Sequence, residues 1–259
     1  MTKIHLLVNQ KGGVGKTTVA LNLAAVTYNV MVRPEPIFAE VASESPHGDP
    51  GSPVLVVSTD PQASAVWWSR RVEATGRRLP FDFTQAQSAS DLRQLRRTGY
   101  EHVFVDTPGS LVDEDSLLAA LDECDDVVVP MTPAALCYPP TTTTIDAVLS
   151  LRPDMPHRVV VNNWDPRDGV LDLKETATFI QKMGWPMCNT VIRHYKVHER
   201  ASADGLVVTE YPKNRTTMEA REDFFRLALE LGYGGSIRTV IPAQPGEYGM
   251  AGTEVNNAG

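Results

Sequence analysis

KGGVGKTT, at positions 11–18, follows the short apolar run 4–8 and opens the apolar-periodic segment 19–26. A phosphate-binding loop needs these parts in this order. A strand stops abruptly, glycines let the backbone approach phosphate oxygens, and a helix turns its free N–H groups and its dipole toward the anion. Lys16 then reaches the β- and γ-phosphates of a nucleotide as a mobile point charge, and the Thr17 hydroxyl completes the shell of a Mg2+ ion. The expected nucleotide-binding residues are Lys11, Gly12, Gly13, Val14, Gly15, Lys16, Thr17 and Thr18. A general phosphate loop does not require a lysine at its first position, so Lys11 calls for its own explanation.

Two further acids follow strand-like runs. Residues 54–57 lead into Ser58-Thr59-Asp60-Pro61-Gln62, and residues 103–105 lead into Asp106-Thr107-Pro108-Gly109. Alone, either aspartate reads equally well as a turn or helix cap. Together with the glycine loop, three strand-to-turn motifs in sequence suit a parallel sheet, where ligands bind at the carboxyl ends of the strands.

The paired lysines Lys11 and Lys16 resemble the deviant Walker A loop of the ParA/MinD family of ATPases. In that family the extra lysine crosses to the nucleotide of a partner subunit, which implies an ATP-dependent homodimer here. The 58–62 stretch resembles the family's Walker A′ motif, so Asp60 is implied to orient the attacking water and to support the metal. Asp106 matches the Walker B acid that reaches Mg2+ through water. The implied catalytic set is Lys11, Lys16 and Asp60, and the implied metal set is Thr17, Asp60 and Asp106. DVVVPMTP at 126–133, the stretch 190–211 and the helix-like 216–231 extend the resemblance to about nine-tenths of the chain. The pair Trp67-Trp68 is closest to small plasmid-partition ParA proteins. One departure is Ser58, where many relatives carry an aspartate. Another is the long segment 33–53, placed where the family needs only a short turn.

That segment holds Pro34, Pro36, Pro46, Pro50 and Pro53, so it is expected to be an exposed loop rather than a helix or central strand. Its acids outnumber its one base, Arg33, which argues against contact with nucleic acid. The remainder of the 259 residues, 42% of them hydrophobic, suits one α/β domain over 1–233. Its expected form is a doubly wound, mainly parallel sheet with helices on both faces, of the P-loop NTPase type. Core strands are expected at 3–8, 54–58, 102–106, 126–130 and 158–162, with the first helix ending near Tyr28. Residues 234–259 read as a disordered tail with one base, Arg238, which disfavours the basic amphipathic helix of a MinD-like membrane ATPase.

Cys124, Cys137 and Cys188 are few and lack metal-ligand spacing, so they read as core residues rather than cluster ligands. Asp113, Glu114 and Asp115 read as a helix N-terminal acidic group. No stretch resembles a signal peptide or a membrane span, and the expected location is the cytoplasm, in association with the nucleoid. The net charge of -8 excludes a strongly basic protein but not a local patch for non-specific DNA. Arginines 70, 71, 77 and 78 form one candidate patch and arginines 93, 96 and 97 another. The third, Arg193, Lys196 and Arg200, falls where ParA proteins carry DNA-contacting residues. Asn162, Asn163 and Pro212 are candidates for the adenine pocket.

The resemblance therefore implies a partition ATPase that binds ATP/ADP and Mg2+, dimerises with ATP, holds non-specific DNA and is stimulated by a ParB-type centromere-binding partner. A positioning ATPase for a protein cargo shares every residue named so far and remains open. A cofactor-assembly ATPase would carry clustered cysteines or histidines, which this sequence lacks.

Overall fold

The computed structural model describes residues 1–32, 52–60, 64–76, 78–109 and 114–234. Its strands are β1 (Lys3–Leu7), β2 (Val54–Ser58), β3 (Asp82–Gln85), β4 (His102–Asp106), β5 (Asp126–Met131), β6 (His157–Trp164) and β7 (Ile192–Arg193). They form one sheet in the order β3-β2-β4-β1-β5-β6-β7, with every pairing parallel. The helices are α1 (Lys16–Val32), α2 (Ser64–Ala74), α3 (Ala89–Leu92), α4 (Glu114–Glu123), α5 (Tyr138–Leu151), α6 (Leu171–Lys182), α7 (Lys196–Ala203) and α8 (Arg215–Leu231).

The central strands β2 and β4 are buried at every position, because helices cover both faces of the sheet. Alternation along each strand divides the side chains between two cores. Ile4, Leu6, Val57 and Val105 point to one side, where they meet Leu92, Leu121, Ile145 and Ile180 from α3, α4, α5 and α6. Leu7, Val56 and Phe104 point to the other, against Leu23 of α1, Trp68 of α2, Val197 of α7 and Phe224 of α8. Helix α1 is buried continuously from Val19 to Thr27, since it lies between the sheet and α8. Asn214 caps the start of α8 by accepting from the Thr217 amide, and Gly232 ends it in a left-handed conformation at φ 75°. The next residue, Tyr233, is anchored at the amino ends of the strands. Its hydroxyl donates to Asp126 Oδ1 at 2.6 Å, and Asp126 Oδ2 lies 2.9 Å from His5 Nδ1. His5 Nε2 in turn lies 2.9 Å from His102 Nδ1, whose ring burial pushes down to a pKa of about 4.

The five expected strands are present, β6 being longer than expected. The sheet also contains β3 and β7, which carry no long apolar run: β3 is mostly exposed and β7 has two residues. Helix α1 continues four residues past Tyr28, to Val32. Most of the expected 33–53 loop, the tail beyond Gly234, and Gln62, Arg77 and Asp113 lie outside the described residues. Among the described residues, no helix is long and apolar enough to cross a membrane. Cys124, Cys137 and Cys188 are unpaired and buried in the two cores, the first two on one face and the third on the other.

Strand β1 has β4 on one side and β5 on the other. The chain leaves β1 toward one edge, returns through β4, then crosses to the opposite edge through β5. The crevice beyond the carboxyl end of β1 is thus the switch point of the sheet.

Candidate nucleotide site

The segment leaving β1 turns through Gly13 and Gly15, at φ 79° and 86°, before Lys16 starts α1. Both glycines occupy the left-handed region that side chains disfavour. At Gly15 there is also no room: a Cβ would stand 2.3 Å from Asn162 Nδ2. Asn162, buried near the end of β6, donates that amide to the Val14 carbonyl at 2.7 Å and so clamps the loop. Gly15→Ala is therefore expected to lower nucleotide affinity at least about tenfold, because strain and displacement of Asn162 fall on the same turn. Isothermal titration with ADP checks this, and unchanged affinity would contradict it.

Lys16 is buried, and its Nζ donates to the Lys11 carbonyl at 3.4 Å. Burial lowers its pKa, while the charges of Asp106 and Asp60 raise it. These opposing effects bring the three motifs into one electrostatic site. Thr17 donates its hydroxyl to Asp106 Oδ2 at 2.8 Å. The other Asp106 oxygen, Oδ1, is buried without a hydrogen-bond partner, and burial pushes this carboxyl up to about 7. A hydroxyl and a carboxylate side by side, with one orphaned oxygen, suit Mg2+, which takes few protein ligands and keeps its own waters.

Asp106→Asn tests that cost. A carboxyl whose folded pKa lies above its unfolded value contributes its stability below the unfolded value and loses it as pH rises through the folded one. In nucleotide-free protein the asparagine variant is thus expected to gain on the order of 1–3 kcal/mol relative to the parent between pH 5 and pH 8. Denaturant melts at the two pH values measure it, and an equal difference at both would contradict it.

Asp60 stands beside this pair because its strand exit is stitched to β4. The Thr59 amide donates to the Asp106 carbonyl at 2.9 Å, and the Asp60 amide donates to Ser58 Oγ at 3.3 Å. The departure at Ser58 has a local use here: its buried hydroxyl supports the backbone of Asp60. The turn after β4 closes on the loop. Thr107 Oγ1 donates to the Leu7 carbonyl at 2.8 Å, and a Cβ on Gly109 would come within 3.1 Å of Gly12 Cα.

Three residues that the motifs do not indicate also hold the loop. Asn9 reaches the Pro130 carbonyl, Thr141 and the Lys11 amide, while Thr144 accepts from the Gln10 amide. Their sequence signals, an asparagine before the loop and the TTTT run at 141–144, are unspecific without the tertiary contact.

The adenine candidates make separate contacts. The Asn162 amide nitrogen is committed to Val14, and Asn163, left-handed at φ 62°, places Oδ1 2.7 Å from His194 Nδ1. Pro212 lines a separate cleft of about 510 Å³ with Arg71, Thr75 and Tyr211, and no phosphate-loop residue borders it. The basic set divides as well. Arg193 forms a forked ion pair with Asp223, which is 4% exposed, and also donates to the Glu219 carbonyl. That makes Arg193 a partly exposed clamp between β7 and α8. Lys196 and Arg200 remain exposed on α7, Lys196 paired with Glu199.

No family model matches the chain. The chain is 35% identical over 230 residues to the Maintenance of carboxysome distribution protein A of Gloeobacter kilaueensis, covering 88% of this chain and 94% of that protein. A protein of the same name from Halothiobacillus neapolitanus is 26% identical over 207 residues, covering 77% of this chain and 83% of the relative. Among solved structures, the septum site-determining protein MinD of Pyrococcus horikoshii, complexed with Mg-ADP, superposes with a TM-score of 0.60 at 18% identity. That match covers 89% of this chain and 96% of the other. With the paired loop lysines, the two acids at the neighbouring strand ends and these likenesses in hand, the chain belongs to the ParA/MinD family of deviant Walker A ATPases.

Proposed function

We propose that this protein is a positioning ATPase whose cargo is a protein assembly. The observation that carries the proposal is the 35% identity, across 88% of the chain, to a protein named for carboxysome distribution. That relationship favours a protein cargo over the plasmid or other DNA cargo that the motifs alone suggest, and an adaptor on the cargo surface over a ParB-type protein.

In this reading the glycine loop cradles the phosphates of ATP with its backbone amides. Lys16 lies against the β- and γ-phosphate oxygens, and Lys11 reaches the nucleotide of a second copy. Thr17 and Asp106 would hold Mg2+, with Asp60 nearby, and the ion would neutralise the charge that develops on the phosphates. Asp60 orients a water for in-line attack on the γ-phosphorus. The bond to the β,γ-bridging oxygen breaks, and ADP and phosphate leave. Catalysis here is positioning and charge neutralisation, so turnover is slow until the adaptor completes the site. The ATP-bound homodimer holds non-specific DNA as a matrix through exposed basic residues such as Lys196 and Arg200, without recourse to a membrane.

Deleting the gene in its native host and imaging protein-shelled compartments beside a low-copy plasmid tests the cargo. Clustered compartments with normal plasmid inheritance are expected. Plasmid loss with evenly spaced compartments would overturn the proposal in favour of DNA partition.

A further inference from the structure

Lys11 is the residue that sets this loop apart, and its backbone is held from the far side of β1. Asn9, fully buried between β1 and the loop, spends its side chain on three bonds. Its Nδ2 donates to the Pro130 carbonyl at 2.9 Å and to Thr141 Oγ1 at 3.0 Å, while its Oδ1 accepts the Lys11 amide at 2.9 Å. One residue on, the Gln10 amide donates to Thr144 Oγ1 at 3.0 Å. Thr141 and Thr144 are both fully buried. Thr144 directs its own proton to the Pro140 carbonyl at 2.7 Å, which leaves a lone pair for Gln10.

The other end of these bonds is rigid. Pro139 and Pro140 lie in the first turn of α5, where fixed φ suits a helix start and no amide needs a partner. The Tyr138 ring stacks on Phe179 of α6 at 4.2 Å between centroids. A buried amide and two buried hydroxyls cost free energy unless each is bonded. Apolar residues of the same shape would fill this space without that requirement. What the polar set supplies is a fixed direction for the backbone of residues 10 and 11. Asn162 on Val14 and Thr17 on Asp106 act farther along the loop, and the long bond from Lys16 Nζ to the Lys11 carbonyl, at 3.4 Å, comes from within the loop itself and not from the surrounding fold.

We propose that Asn9, Thr141 and Thr144 are positioning residues for Lys11, fixing the backbone from which its side chain leaves the loop and thereby governing ATP-dependent self-association rather than nucleotide affinity. This inference rests on the reading of the protein as an ATP-dependent dimer.

The test uses the full-length Thr141→Val, Thr144→Val double variant, which keeps shape and removes both hydroxyls, beside Thr141→Ser, Thr144→Ser, which restores them. Three quantities are read: affinity for a fluorescent ADP analogue, ATP-dependent dimerisation by sedimentation velocity, and steady-state kcat and KM. The valine variant is expected to bind the ADP analogue within about threefold of the parent, to dimerise at least about tenfold more weakly, and to lose kcat with little change in KM. The serine variant is expected to recover both losses. Unchanged dimerisation, or nucleotide affinity falling in step with dimerisation, would overturn the brace while leaving the dimeric reading intact. A parent protein that stays monomeric with ATP would instead sink the dimeric reading itself. If the double valine variant fails to fold, Thr144→Val alone, which removes the acceptor for Gln10 and the donor to the Pro140 carbonyl but leaves Asn9 and Thr141 in place, carries the same expectations, and parental dimerisation by that variant overturns the brace.

Discussion

Lys16→Ala is expected to lose at least about a hundredfold in affinity for ATP and ADP while melting within a few degrees of the parent. The lysine is buried at the start of α1, where burial disfavours its charge and the nearby Asp106 and Asp60 offset part of that cost. Its ammonium is therefore held ready in a poorly hydrated position, and a polyphosphate entering the loop meets a cation that has little water left to shed. Charged hydrogen bonds made under such conditions are worth about 2–5 kcal/mol when one partner is truncated, which is the basis of the expected hundredfold loss. Removing the side chain also leaves Asp106 without its nearest positive charge, which weakens the hold on Mg2+ as well as on phosphate. Isothermal titration with ADP, with and without Mg2+, measures both effects. Affinity within threefold of the parent would show that the backbone amides of the loop suffice, and the assigned role of Lys16 would fail.

For Asp60→Ala the expected result is the opposite combination: ATP affinity within a few-fold of the parent, turnover reduced by about 10²–10⁴, and dimers that persist with ATP. Asp60 is partly exposed at the end of β2 and is aimed into the site by the bond from its amide to Ser58 and by the tie between Thr59 and Asp106. It does not belong to the loop, so its loss leaves the cradle for the phosphates intact. A carboxylate that orients the attacking water contributes in the transition state, and removing it lowers kcat more than it raises KM. Single-turnover hydrolysis with sedimentation on the same sample separates binding, association and chemistry. Hydrolysis at the parental rate would move the water-orienting role to another group.

The backbone of the phosphate loop and the strand exits beside it were legible in the sequence, because their signals are local. Gly13 and Gly15 sit where the chain takes left-handed turns, Lys16 and Thr17 begin the helix that follows, Asp106 ends a buried strand and Asp60 lies two residues beyond another. The surroundings of the adenine and DNA candidates were less legible, since these side chains have partners distant in sequence. The sequence shows Arg193 as one of several bases, and not that Asp223, thirty residues on, holds it in a partly buried fork. Nor does it show that the amide of Asn162 reaches Val14, 148 positions away.

By itself the sequence determined the phosphate loop, the two acids, the five long core strands and the two-faced sheet, since each is set by apolar runs and turn residues within a few positions of one another. Only the tertiary structure decided that β3 and β7 extend the sheet, because short exposed strands are made by the edge they join. It likewise decided that Asn9 meets Thr141 and Gln10 meets Thr144, because hydrogen bonds across more than a hundred residues leave no periodic trace in the chain.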